Sequence, residues 1–414
     1  MVASTPGVQQ RTGSQAAILD AAYGLFARFG PDGASLRAVG EVAGCTHALV
    51  IRYHGTKDDL MAAVAARMAT YVDGVVGEIT TTSDQPVAEL LHAARAHRAS
   101  IQLLIRSALG DLPPRGFPAC LHLGWLLAQA TEQPAPERPA ALERRRRICA
   151  YAAACVVLGF VTFEGFVVAA TGLGPLAPRR RDRAVAGSVD RVLQVAGTDE
   201  PCLEARDLSS LSSLTAGATE DDDRPTTGRD ALLRSAIELF AERGPASVSV
   251  RDIARHAGAN QGLIYRHFGS KDALLADAIE QGRSRLFPAA KAADGFDFDA
   301  MSWLIHHGSP APRLIARTLV DGVDILTVRR RFPVLRRLLD DYDDVPTGAG
   351  PGDLSDPRVA VATAASLVLG SAVWGGHLRP ALGLRDGIES AVADLARLLI
   401  AEPVAAAPES DRRR

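Results

Sequence analysis

The chain has 414 residues, enough for two or three domains with sizeable cores. Apolar residues make up 47% of it and aromatic residues only 5%, a balance rich in Ala and Leu that favours helices over sheets. The formal net charge of −2 excludes a generally basic nucleic-acid-binding protein and leaves only a local patch for such a contact. Five cysteines without a CxxC pair, and an N-terminus without an apolar leader, lead us to expect a cytoplasmic protein.

The first half of the chain predicts a series of helices. Residues 1–13 are polar and are expected to form a flexible arm. From 14 to 62, short helices alternate with glycine-containing turns, and residues 63–196 predict further helices. The segment 148–170 follows four arginines and is apolar enough to be interpreted as a transmembrane helix. We favour a buried helix in a bundle and expect no membrane partner, because Glu164 interrupts the segment and the second half carries a similar one.

The two halves are joined by a predicted linker, residues 197–225, which is acidic and rich in serine. It contains Glu220-Asp-Asp-Asp223 and few apolar residues. A segment of this composition has little with which to build a core, so we expect it to be disordered or loosely packed.

After the linker, residues 226–276 have the pattern of a helix-turn-helix. Ala231–Phe240 predicts an amphipathic helix. Ser249 is placed to cap the next helix, with Asp252 three residues further on to complete a capping box. Gly258 then separates two short helices, an arrangement that fits the major groove of DNA.

The chain contains an internal duplication. At an offset of 214, the sequence match runs without a gap from Ile18 to Ala62. Residues 277–401 predict helices in a similar order to those before the linker, and Val368–Gly370 echoes Val157–Gly159 at an offset of 211. A gapless match of this length indicates two copies of one unit.

The most specific motif is the fifteen-residue run Ala257-Gly-Ala-Asn-Gln-Gly-Leu-Ile-Tyr-Arg-His-Phe-Gly-Ser-Lys271. It resembles the DNA-binding signature of the tetracycline-repressor (TetR) family. The resemblance implies an all-α protein of two tandem units, each with a three-helix DNA-binding domain followed by a helical domain that dimerises and often binds a ligand. It also implies a double-stranded DNA operator as a partner, a small-molecule effector that we cannot name, and repression of transcription as the function.

Candidate DNA contacts follow from the way a helix-turn-helix docks, with the second helix presenting its outer face to the major groove. A lysine in the first turn of the following helix can also reach a phosphate there. In the second copy the candidates are Ser249, Arg251, Asn260, Gln261, Gly262, Tyr265, His267 and Lys271. Their counterparts in the first copy are Ser35, Arg37, Thr46, His47, Ala48, Tyr53 and Lys57.

The first copy is degenerate at three adjacent positions. Ile51 stands where the second copy has Tyr265, Tyr53 where it has His267, and His54 where it has Phe268. The first change removes a phosphate donor, and the last puts a polar ring where a core residue belongs. We therefore hold two hypotheses: both copies bind DNA, or only the second does while the first half is a dimerisation or ligand-sensing module.

No set of residues predicts an enzyme, a cofactor or a metal site, since the histidines lack acidic or cysteine companions at ligand spacing. Pockets between the helices could be lined by Trp125, Phe163, Glu164, Trp303, Tyr342 and Trp374, although ordinary core positions are an equally good interpretation of these aromatic residues. Because one chain holds two homologous helical domains, we expect a monomeric pseudo-dimer, with a homodimer as the alternative.

Overall fold

The computed structural model of the chain describes residues 6–109, 140–197, 203, 206–212, 228–284, 296–323 without 308, 356–384 and 387–401, and single helical positions at 325, 335, 338 and 339. Throughout these residues the regular secondary structure is helical, as the composition predicted. The predicted pocket residues Trp125 and Tyr342 lie outside the described residues.

The described part of each unit contains eight α-helices. Those of the first unit are α1 (Pro6–Gly33), α2 (Leu36–Val42), α3 (His47–His54), α4 (Lys57–Thr82), α5 (Pro86–Ala96), α6 (Arg98–Leu109), α7 (Ala140–Thr171) and α8 (Pro178–Gln194). Those of the second are α9 (Gly228–Arg243), α10 (Val250–His256), α11 (Gln261–Phe268), α12 (Lys271–Ser284), α13 (Phe298–His307), α14 (Ala311–Val320), α15 (Pro357–Ala381) and α16 (Ile388–Ala401).

The turns of the two units are duplicated as well as the helices. Gly30 and Gly244 have φ angles of 73° and 82°, and Gly44 and Gly258 have φ angles of 68° and 62°. A positive φ strains any residue with a Cβ. Glycine therefore marks the same two places in each copy: Gly30 kinks α1 near its end where Gly244 follows α9, and Gly44 and Gly258 form the turn between the second and third helices. We call α1–α3 with the start of α4 the first head, and α9–α11 with the start of α12 the second head.

The two units dock through α7 and α15, which cross at a pair of glycines. A Cβ on Gly159 would lie 2.0 Å from the Ser366 carbonyl oxygen, and one on Gly370 would lie 2.1 Å from that of Cys155. Gly370 and Ser366 are the counterparts of Gly159 and Cys155 at the offset of 211. Each contact is therefore the equivalent of the other in the duplicated unit, and the two are related by a local two-fold axis. Helices α8 and α16 flank the crossing and complete a four-helix bundle.

Three helices, α4, α7 and α15, are long and apolar enough to cross a membrane by length and composition. In the most apolar windows of α7 and α15, 67% and 83% of the residues are buried inside the protein. Burial in the bundle therefore accounts for the all-round apolar character of these two helices, as expected for the segment 148–170.

Three local expectations were wrong. Helix α1 begins at Pro6, inside the predicted flexible arm. The sequence predicts a loop from Pro288 to Asp299, whereas helix α13 begins at Phe298, inside that segment. The linker is not loose throughout: Leu203 is buried, and Arg206 pairs with Asp299 and Asp394 of the second unit. One leucine and one arginine thus anchor a segment whose average composition is that of a disordered chain.

Candidate nucleic-acid interface

The second head positions its helices with two N-caps, and the one at Ser249 was predicted from the sequence. The Ser249 hydroxyl accepts a hydrogen bond from the Asp252 backbone N–H (3.1 Å), and the Asp252 carboxylate accepts one from the Ser249 N–H (3.0 Å). At the start of α12, the Ser270 hydroxyl accepts from the Ala273 N–H at 3.0 Å. These bonds satisfy N–H groups that would otherwise lack partners at the helix starts.

Helix α11 has one buried and one exposed face. Ile264 and Phe268 pack into the core of the head, while Gln261, Gly262, Tyr265, Arg266 and His267 are exposed. Asn260 is the N-cap, and its side-chain oxygen accepts from the Gly262 N–H at 2.8 Å. The predicted reading residues therefore share the outer face of one helix, close to its N-terminus, as base contacts in the major groove require.

The basic residues of the second head differ in whether their charged groups already have an intramolecular partner. Arg251 is exposed and has no ion pair among the described residues, whereas Arg255 pairs with Asp252. Lys271 is half-buried, and its ammonium donates to the Pro245 carbonyl oxygen at 2.5 Å. Burial lowers the pKa of Lys271 below its usual value. In the structure this lysine ties α12 to the turn before α10.

The first head has the same helices and turns as the second head, but it lacks several of the caps and unpaired polar side chains on the outer surface. Ser35 caps α2 through the Ala38 N–H at 3.1 Å, but Ala38 has no carboxylate to return the bond. Thr46 precedes α3 without a side-chain cap. Arg37 is paired at 3.1 Å with Glu41, which occupies the position of Arg255. Arg37 is therefore partly neutralised where its counterpart Arg251 is free.

Reading helix α3 exposes His47 and Ala48, and Ile51 is 44% exposed at the position of Tyr265. His54 shows the expected cost of a polar ring at a core position. Its buried Nε2 has no hydrogen-bond partner in the part of the chain that is described, and burial lowers its pKa. The corresponding Phe268 is buried beneath the Arg229 guanidinium, 4.9 Å from the ring centroid.

The predicted pocket residues separate into two groups. Glu164 lines a cavity of about 390 Å³ in the first unit, together with Phe160. Phe163 and Trp374 are buried and do not line that cavity; the Trp374 indole donates to the Thr162 hydroxyl at 3.0 Å across the unit interface. Trp303 stacks on His307, with ring centroids 3.9 Å apart, and lines no described cavity.

The sequence analysis missed the arginines that join the units. Arg106 of α6 donates to the Val320 carbonyl oxygen at 3.1 Å, and Arg317 of α14 donates to that of Leu109 at 2.5 Å. Both pairs are related by the offset of 211, so the duplicated arginines could have been found from the sequence. Their acceptors, which are carbonyl oxygens at the carboxyl end of a helix in the other unit, could not have been found in that way.

Two short helices with an exposed outer face, each preceded by a supporting helix, define a helix-turn-helix DNA-binding protein. The sequence profile of bacterial regulatory proteins of the tetR family matches residues 18–64 and 232–278, the same two stretches at the same offset of 214.

An HTH-type transcriptional repressor of Mycobacterium tuberculosis H37Rv is 34% identical over 199 residues, which span 97% of that protein and 46% of this chain. An HTH-type transcriptional regulator of Mycobacterium bovis matches with the same identity and coverage. The HTH-type transcriptional repressor KstR2 of Rhodococcus jostii is 28% identical over 149 residues, 73% of its length and 34% of this chain. The chain belongs to the tetR family and is a DNA-binding transcriptional regulator in which the whole unit is duplicated in tandem. These relatives are named as regulators and not as enzymes.

Proposed function

We propose that the chain is a cytoplasmic transcriptional repressor that binds a double-stranded operator mainly through its second head and is released by a small-molecule effector. The observation that supports this proposal is the different state of the two reading surfaces. Arg251 is exposed and free of ion pairs among the described residues, whereas Arg37 is paired with Glu41. Tyr265 is 55% exposed, and its counterpart in the first head is an isoleucine.

In the second head, the base-reading role falls to Gln261, whose amide can form paired hydrogen bonds to adenine N6 and N7. Gly262 lets the backbone approach the groove closely. Arg251, Tyr265 and His267 supply phosphate contacts that fix the orientation of the head. Asn260, Ser249 and Lys271 contribute chiefly by holding the helices, since each already has an intramolecular partner.

In the first head, the contacts are fewer and less selective. We assign weak backbone contacts to its seven candidates, Ser35, Arg37, Thr46, His47, Ala48, Tyr53 and Lys57. The operator is then asymmetric, with one defined half-site and one loose half-site, because two different heads cannot read a palindrome. The alternative, that only the second head contacts DNA, would leave the first unit as a sensing and docking module.

The proposed domain boundaries are 14–62 and 63–196 for the first unit, 197–225 for the linker, and 226–276 and 277–401 for the second unit. In this arrangement α7, α8, α15 and α16 form the dimer bundle within one chain. The surface that would join two chains is thereby occupied, which supports a monomeric pseudo-dimer over a homodimer. Light scattering on the full chain distinguishes the two, because a homodimer would scatter as twice the mass of one chain.

The test of the proposed function is selection of binding sites from a random duplex library with the full chain, followed by fluorescence anisotropy on the selected DNA. We expect an asymmetric site. Replacement of Tyr265 by Phe should weaken binding roughly tenfold, because a hydrogen bond to a charged phosphate is lost. The matched change Ile51→Ala should leave the affinity unchanged. Failure to select any sequence, or equal losses for the two variants, would contradict the proposal.

A further inference from the structure

The two units differ in the interior of their helical domains as well as in their heads. The cavity of about 390 Å³ lies between α5, α6 and α7 of the first unit, and its volume is within the usual range of ligand sites, roughly 300–1,000 Å³. In the second unit, a smaller cavity of about 80 Å³ lies between α13, α14 and α15; it is lined almost wholly by apolar side chains, mostly at positions other than the counterparts of the first-unit lining. Of these two cavities, that of the first unit is the one large enough for a ligand of ordinary size.

One end of the first-unit cavity is charged. Arg95 donates to both oxygens of the buried Asp182 at 2.5 and 2.6 Å, and to Glu164 at 2.8 Å. Arg181 donates to the same Glu164 oxygen at 3.3 Å, but its buried Nε has no hydrogen-bond partner. Burial opposes the charge of Arg95, yet the hydrogen bonds to its two carboxylates raise its pKa above the ordinary value.

The charges of this cluster do not cancel. Arg98, at the rim, has no ion pair in the described parts of the chain, so three arginines face two carboxylates. The unpaired positive charge of the exposed Arg98 at the rim and the unsatisfied buried N–H of Arg181 together favour a bound anion. At the offset of 211, Glu164, Arg181 and Asp182 correspond to Gly375, Val392 and Ala393, so the second unit lacks these charges.

The cavity also touches the other unit. Leu319 and Val320, at the end of α14, form part of its wall. The next residue, Asp321, pairs with Arg106 at 2.8 Å, and its second oxygen accepts from the Ala246 N–H at 2.8 Å. Ala246 lies in the turn between α9 and α10 of the second head. Helix α14 is thus a wall of the first-unit cavity and a support of the second head.

We propose that this cavity is the effector site of the chain, that it takes a mainly apolar small molecule with a single negative charge, and that α14 carries the effect of binding to the second head. The proposal rests on the proposed function, since its consequence is loss of DNA binding. The apolar part of the molecule would lie against Leu91, Ile101, Ile105 and Phe160, and its anionic group would lie near Arg181 and Arg98.

A matched pair of fluorescent probes tests the charge. Anilinonaphthalene sulfonate has an apolar ring system and one negative charge, and phenylnaphthylamine has the same rings without the charge. In titrations of the full chain, we expect one sulfonate to bind per chain, roughly tenfold more tightly than the neutral amine. Arg181→Gln should remove most of that difference, while Arg180→Gln, an exposed neighbour outside the cavity, should preserve it. Equal affinity of the parent chain for both probes, or no binding of the sulfonate, would overturn the proposed ligand class.

A second pair of variants tests the location. A Cβ on Gly165, which lines the cavity, meets no atom within 4 Å, so a side chain can start there and Gly165→Leu should occupy part of the cavity. Its counterpart Gly376 is equally open and lies outside both cavities, so Gly376→Leu is the control. We expect Gly165→Leu to lose at least tenfold in affinity for both probes with an unchanged unfolding temperature. Binding of the probes by this variant as tightly as by the control would place the site elsewhere.

Anisotropy titrations with the selected DNA test the route. The sulfonate should weaken DNA binding of the parent chain roughly fivefold or more and leave that of Gly165→Leu unchanged. A probe that binds in the cavity without changing DNA affinity would overturn the role of α14. Absence of DNA binding without any probe would instead contradict the proposed function, and the two failures are therefore distinguishable.

Discussion

The first and second heads place the same helices and the same positive-φ glycines at matching positions, while the side chains on their outer faces have diverged. Their relation to the rest of the protein also differs. Buried apolar side chains of the first head form one continuous cluster with the helical domains. Those of the second head form a separate cluster, to which α14 contributes Leu314. The buried pattern of a duplicated unit is retained because it maintains the fold, whereas each surface is free to specialise.

This comparison suggests a division of roles between the units. The first unit has the larger cavity, a charged cluster and a head whose interior is continuous with the bundle. The second unit has the small apolar cavity and the head with a free arginine and an exposed tyrosine. Four substitutions test the docking of the units and the differences between them.

The largest effect is expected where the two units meet. Gly159→Ala places a methyl group 2.0 Å from the Ser366 carbonyl oxygen, so α7 and α15 must separate. We expect a loss of about 3 kcal/mol in the free energy of unfolding, measured by urea titration. Gly165→Ala on the same helix meets no atom within 4 Å and should cost nothing. Equal stability of the two variants would mean that the docking of the units is not as described.

The next effect concerns base reading. Gln261→Ala should reduce discrimination by about 2 kcal/mol at one position of the defined half-site, because the paired bonds to a base are lost. His47→Ala, the matching change in the first head, should leave that half-site unaffected. Selection from a random library measures both. A palindromic site that changes in both halves with Gln261→Ala would mean that two chains contribute their second heads.

A smaller difference is expected between the matched arginines. Arg251→Gln removes a free charge, so it should weaken binding by about 1 kcal/mol and reduce the slope of log affinity against log salt by about 0.9. Arg37→Gln removes a charge already paired with Glu41 and should change the slope less. Anisotropy at several salt concentrations gives both values. Equal slopes for the two variants would contradict the inferred electrostatic difference between the two heads.

The smallest effect concerns the interior of the first head. His54→Phe restores the residue of the second head and should raise the free energy of unfolding by about 1 kcal/mol, since an unpaired buried nitrogen is removed. Burial lowers the pKa of His54, so the folded state binds a proton less readily than the unfolded chain. The parent chain should therefore lose stability as the pH falls below about 6.5, and the variant should lose less. Thermal unfolding at pH 7 and pH 5 measures this difference, and an identical pH dependence would exclude a role for His54.

Much of the fold and of the interface was accessible from the sequence. The duplication, the cap at Ser249, the turn at Gly258 and the polar ring of His54 at a core position were predicted and are present in the structure. The cap and the turn depend on residues within one or two helical turns of each other, and the duplication is visible when the sequence is aligned with itself. A motif of fifteen residues therefore carries both the local geometry and the family.

The features that could be seen only in the tertiary structure are contacts between residues that are far apart in the sequence. Arg95 and Asp182 are 87 positions apart, and Arg106 and Val320 are 214 apart. An apolar or charged pattern shows that a helix has a face, but not which other face it meets or whether the space between them is filled. For that reason Trp374 could be predicted as a pocket residue and yet pack in the unit interface, while the charged cavity of the first unit became visible only when α5, α6, α7 and α14 were brought together.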